Sequence, residues 1–170
     1  KSSVTADELE RIYNNDAFET LGKNAMVFYP GSSKVYFGEK VEYFSSLPFQ
    51  TDEKIYAPIR GCAELFGYEV SWNGTDKSVL LSGEKNIVCN VNSGETTVNN
   101  ENSKNGDVIF TGGVTYAELN TFADIFGLSA FSDSSGLAML LEADGKKPSA
   151  ETINSIIALY PEASLGFEID

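Results

Sequence analysis

The sequence predicts an α+β fold: two copies of one unit, each a set of antiparallel hairpins packed on a short helix, flanked by an N-terminal and a C-terminal helix. Three observations predict it. The apolar and turn pattern recurs at a period of about 60 residues. Each copy has one short helix-like stretch that presents a single apolar face and ends at a glycine (Gly67, Gly127). The segments between alternate β-type runs with turn residues.

Taken in chain order, Thr5-Ala6-Asp7-Glu8 has the form of a capping box, and Leu9, Ile12, Tyr13, Phe18 and Leu21 keep helical spacing up to Gly22. A helix is predicted over about 6–21. Ala25 to Tyr29 and Val35 to Phe37 flank the turn Pro30-Gly31-Ser32-Ser33 as a hairpin. Val41 to Phe44, then Phe49 to Thr51 before the charged turn Asp52-Glu53-Lys54, give a second strand pair. Pro58 suits the first position of a helix whose buried face is Ile59, Cys62, Ala63 and Phe66. Tyr68 to Trp72 then alternates, Asn73-Gly74 is a hairpin signal, and Ser78 to Ser82 is the returning strand.

The pattern starts again with Ile87 to Val91 and Thr96 to Val98 around Asn92-Ser93-Gly94, followed by Val108 to Thr111, Gly112-Gly113 and a helix from Tyr116 to Phe126. Sliding the chain by one period superposes Tyr56-Ala57 on Tyr116-Ala117, Phe66-Gly67 on Phe126-Gly127 and Leu80-Leu81 on Leu140-Leu141. The second helix face becomes Leu119, Phe122, Ala123 and Phe126. Ser149 can cap a last helix, apolar at Ile153, Ile156, Ile157 and Tyr160 and stopped by Pro161. The predicted layout is an N-terminal helix (1–24), unit one (25–84), unit two (85–145), and a C-terminal helix and tail (146–170) that could lead into a further domain.

Composition narrows the function. With 25 acidic residues against 12 basic ones and a net charge of −13, the chain is poorly suited to nucleic acid or an anionic membrane. No apolar run approaches the roughly 18 residues of a membrane span. The histidine count is zero, which removes the commonest general base and the commonest transition-metal ligand. Cys62 and Cys89 match no zinc or redox spacing; they read as buried free thiols or as one disulfide.

No cofactor, metal site or catalytic constellation is expected. Without histidine a serine nucleophile would need a buried lysine base, and no such motif is present. The turns Asn99-Asn100-Glu101-Asn102 and Asp133-Ser134-Ser135-Gly136 lack the spaced acidic ladder of a calcium loop. Trp72, Tyr29, Tyr36, Tyr43 and Tyr56 are the aromatics that a sugar-binding surface would use, although strand and core packing is their more ordinary fate. Arg60 could hold a carboxylate ligand, or more commonly pair with an acidic neighbour. The candidate ligand surface is therefore Arg60, Trp72 and Tyr56.

The segment from Ile55 to Asn73, with Pro58 and Arg60 opening a helix that runs through Ala63-Glu64 to Gly67 and then the strand Val70-Ser71-Trp72, resembles the signature of the copper amine oxidase N-terminal-like, or stalk, domain of secreted bacterial proteins. Val35 to Lys40 resembles that family's hairpin, and tandem halves are a habit of the family. Copy two departs from the signature: Glu118 replaces the proline, Asn120 the arginine, and Ser132 stands at the place of Trp72. Copper chemistry is not implied, since the oxidase centre lies in another domain and uses histidine ligands. The resemblance implies a secreted or cell-surface spacer, assembly or ligand-binding module without catalysis of its own. Its partners would be a cell-wall glycan or polysaccharide, or other domains of the same polypeptide. Ala25 to Gly38 and Ser132 to Leu141 also resemble a subgroup found ahead of secreted catalytic regions. The alternative is thus an N-terminal accessory part of a carbohydrate-active enzyme such as a polysaccharide lyase-like protein.

Overall fold

A computed structural model describes residue 18 and residues 20–143 and 147–163. The two-residue turns Asp52-Glu53 and Gly112-Gly113 have positive φ at both positions, the geometry that closes a hairpin with the right twist. The strands they join are β4 (Phe49–Thr51) with β5 (Lys54–Pro58), and β11 (Val108–Thr111) with β12 (Val114–Glu118). Before β4 come β1 (Met26–Phe28), β2 (Lys34–Phe37) and β3 (Lys40–Tyr43). After β5 come α1 (Ile59–Leu65), β6 (Glu69–Asn73) and β7 (Ser78–Ser82). The same succession follows as β8 (Asn86–Asn90), β9 (Thr96–Val98), β10 (Glu101–Asn102), β11, β12, α2 (Leu119–Phe126), β13 (Leu128–Ser132) and β14 (Ala138–Glu142), with α3 (Ala150–Ile157) last. The fold is α+β as predicted, with hairpin sheets repeated against short helices and flanking helices at the ends. The predicted N-terminal helix falls mostly outside the described residues; within it Phe18, Thr20 and Leu21 are helical.

The central sheet has the order β11-β12-β5-β4, and its register relates the halves by a local two-fold axis. Ala57 faces Ala117, while Tyr116 faces Pro58 and Glu118 faces Tyr56. Two alanines at the axis suit a fully buried crossing point, since any larger side chain would meet its own counterpart there. The other two sheets exchange hairpins. Their orders are β10-β9-β8-β7-β6 and β13-β14-β1-β2-β3, so β6 and β7 complete a sheet with the second half while β13 and β14 complete one with the first. Met26 lies opposite Leu140, and Asn24 Nδ2 donates to Glu142 Oε1 at 3.4 Å, which brings the two ends of the repeated region side by side.

One core joins all three sheets and both central helices through Ile59, Cys62, Ala63, Leu119, Phe122 and Ile125, with the rings of Phe66 and Phe126 in tilted contact at its margin. A second cluster lies on the outer face of the sheet containing β1. There Val27, Tyr36, Met139 and Leu141 are covered by Phe18, Ile156 and Tyr160. The C-terminal helix is capped as predicted, Ser149 Oγ accepting from Thr152 N at 3.2 Å. Residues 161–163 are again helical, so Pro161 opens a further turn rather than ending order.

One helix boundary differs from the sequence reading. Tyr116, Ala117 and Glu118 are strand rather than helix, because their backbone groups are taken by Pro58, Ala57 and Tyr56 across the axis. Pro58 likewise closes β5 and stands just before the helix. Gly127, with φ 69°, caps α2 in the left-handed conformation, and its N–H donates to Ala123 O. Cys62 and Cys89 are both buried free thiols. Burial pushes the Cys89 thiol up to about 12 and that of Cys62 further, so neither supplies a thiolate at neutral pH. No helix among the described residues is long and apolar enough to cross a membrane.

Candidate functional site

Each of the three sheets ends in an edge strand on the same side of α1: β3, β6 and β11. Between them and the first turn of α1 lies a groove of about 780 Å³, within the usual range for a ligand site. Each edge strand places one large aromatic there, and all three face solvent: Tyr43 on β3 is 68% exposed, Trp72 on β6 51% and Phe110 on β11 54%. Trp72 shares a strand face with Val70, which packs on the core, but lies two residues further out. It therefore overhangs the core's edge rather than entering it.

Arg60 and Glu64 come from the exposed face of α1. Arg60 Nη1 lies 3.5 Å from Glu64 Oε2 and donates to Val70 O at 3.5 Å. Both side chains are more than half exposed, so this pair contributes about 0–1 kcal/mol and leaves most of the guanidinium's donors free for a ligand. The groove floor depends on a close approach. A Cβ on Gly61 would meet Phe44 Cδ1 at 2.6 Å, so only glycine lets the Phe44 ring pack onto the helix. Glu42, Ser45, Ser46, Ser71 and Thr115 complete the polar lining.

Of the residues singled out from sequence, Arg60 and Trp72 meet in this groove together with Tyr43. Tyr56 does not. It is buried in the central sheet, stacked on Phe49, and its hydroxyl donates to Asp107 at 3.0 Å (Oδ2), an oxygen that also takes Lys54 Nζ at 2.8 Å. Burial, then Asp107, pushes its phenol above the usual range. Tyr36 is fully buried, and Tyr29 stacks on Tyr160 with its hydroxyl donating to Ser135 O at 2.9 Å. Phe110 escaped the sequence reading. Its position in the repeat held a signal, since Gln50, one period earlier, pairs with Ile55 as Phe110 pairs with Thr115, and a glutamine marks that place as solvent-facing.

The two-fold axis supplies an internal comparison. At the corresponding place in the other half, Gln50 stands for Phe110, Ser132 for Trp72, Asn120 for Arg60 and Lys104 for Tyr43. The last match follows from register: Ser103 N donates to Thr96 O, the pairing that Glu42 has with Val35. The helix start is sealed as well. Glu118 Oε1 accepts from Asn120 N at 3.1 Å, and Asn120 Nδ2 donates to Glu118 Oε2 at 3.1 Å. Asn105, in the place of Phe44, donates to Asp124 Oδ2 from its backbone and its amide (2.8 and 3.0 Å), and its carbonyl accepts from the Thr121 hydroxyl.

Residues 35–139 match the copper amine oxidase N-terminal domain. The chain belongs to that family. Searches of the curated proteins and of the solved structures gave no significant match. The copper of the family's name has no donor set here: the chain has no histidine, and among the described residues no three His, Cys, Asp or Glu side chains converge on a point where a metal could sit. The two turns considered for cations spend their oxygens internally. Asp133 Oδ1 accepts from Ser135 N at 3.0 Å and Leu137 N at 3.1 Å, and Asn99 Oδ1 accepts from Asn86 N at 2.9 Å. What the family member does present is an aromatic-walled groove with one arginine.

Proposed function

We propose that this domain is a non-catalytic ligand-binding module of a secreted bacterial protein, and that the groove at α1 holds a polysaccharide or cell-wall glycan. The observation that carries the reading is the set of three exposed aromatics from three different edge strands, absent from the two-fold-related place. Packing demands are alike at the two related places, so large apolar side chains left in water at only one of them point to a use outside the fold. An aromatic face covers the apolar face of a pyranose ring, and the adjoining arginine, carboxylates and serines bond its hydroxyls. Secretion and bacterial origin rest on the family resemblance. The recurrent element order supports reading the halves as a tandem duplication.

The spacer role is the weaker alternative because it leaves the exposed aromatics without a purpose. For an accessory part of a carbohydrate-active enzyme the same groove would extend a neighbouring cleft; Glu64 faces Arg60 rather than a second carboxylate, which speaks against chemistry in the groove itself. The test is retention of the protein on insoluble polysaccharides and isolated cell wall, with Trp72→Ala as control. Retention of the wild type and its loss in the variant is the expected result. Equal retention of both, or none for the wild type, would remove the groove from consideration.

A further inference from the structure

Resting on the reading of the groove as a glycan site, we infer that its ligand is an uncharged pyranoside chain and not a polyuronate or another anionic glycan. The charged groups lining the groove are Glu42, Arg60 and Glu64. Arg60 is the one cation among them, and Glu64 already shares its charge at 3.5 Å. The protein around the groove carries a net charge of −13, so its field repels an approaching polyanion before any contact forms. A uronate chain presents one carboxylate per sugar. At most one of these could reach Arg60, and the next would lie among Glu42, Glu64 and the aromatic walls, where an unpaired charge is costly. An uncharged chain meets none of these costs. Its ring faces lie on Trp72, Tyr43 and Phe110, its hydroxyls accept from the guanidinium, and they donate to the two carboxylates and the serine hydroxyls.

The protein contains one tryptophan, and it stands in the groove, so its fluorescence reports occupancy directly. The experiment titrates the protein with neutral hexasaccharides of glucose, mannose, xylose and N-acetylglucosamine, and with oligogalacturonate, at about 50 mM and about 200 mM salt. At least one neutral chain is expected to shift the emission of Trp72 with an affinity that changes less than about twofold between the two salt levels. Oligogalacturonate is expected to bind at least about tenfold more weakly than that chain at the lower salt, a difference of roughly 1.4 kcal/mol. Tyr43→Ala and Phe110→Ala, both at exposed positions, keep the reporter intact and should each weaken the neutral chain. Oligogalacturonate binding as tightly as any neutral chain, with affinity falling as salt rises, would overturn the inference while leaving a glycan site in place. Failure of every glycan, with no retention on polysaccharide, would overturn both.

Discussion

Phe44 and Asn105 occupy corresponding places in the two halves, and each fastens the segment after its third strand onto the helix that follows. In the first half the fastening is an aromatic ring laid against Gly61; in the second Asn105 donates to Asp124 and its carbonyl accepts from the Thr121 hydroxyl. The scaffold tolerates both solutions, so their difference is not dictated by the fold. Its consequence is local. The apolar fastening leaves the face of α1 clear, with Arg60 projecting between three aromatics, whereas the polar one occupies the start of α2 with Glu118, Asn120 and Asn105.

Substitutions at matched positions test how far this equivalence extends. Phe122 and Cys62 face the core from corresponding helix positions and are fully buried. Phe122→Ala should cost about 3–5 kcal/mol in urea unfolding. Cys62→Ala, which removes a single sulfur, should cost far less. Similar losses would mean that the two helices do not carry their halves as the apolar contacts indicate. Gly61→Thr, which gives α1 the residue found in α2, should cost about 1–3 kcal/mol by displacing Phe44, and adding Phe44→Asn should recover part of that loss. A non-destabilising Gly61→Thr would break the comparison at its centre.

Glu118 separates the halves by pH. Burial raises its carboxyl above the ordinary 4.5, against the lowering effect of its hydrogen bonds from Asn120 and with a further upward push from Asp107. The stability it contributes is thus fully present below 4.5 and is lost as pH rises through the elevated value. Subtracting the unfolding curve of Glu118→Gln from that of the wild type isolates this term: the difference should move in the variant's favour between mildly acidic and neutral pH, and a difference independent of pH would contradict the assignment. Glu118→Ala should cost about 1 kcal/mol through the lost cap. The smallest effect is expected for Trp72→Ser, which copies Ser132 and should change stability by no more than about 0.5 kcal/mol. A larger loss would show that Trp72 supports the fold rather than a ligand.

The repeat was legible because apolar helix faces and stop glycines are local signals: Ile59, Cys62 and Ala63 are buried as read, and Gly127 caps α2 as read. The start of α2 was not, because Tyr116 to Glu118 are held as strand by partners one whole unit away in sequence. The exchange of hairpins between sheets is invisible for the same reason. Half of the groove was within reach. Arg60 and Trp72 stand out in the motif, but exposure depends on where a strand overruns the core, and period-two alternation cannot say where the core stops. Tyr56 shows the limit from the other side, since a tyrosine in a β-run reads alike whether its hydroxyl finds water or Asp107.

The pairing of β1 with β14 bears on how this module would behave under load. Antiparallel neighbours stand about 5 Å apart, and the chain arrives at Met26 on the same end from which it departs beyond Leu140. Tension applied across these two strand ends would pull across the backbone ladder and open it one rung at a time.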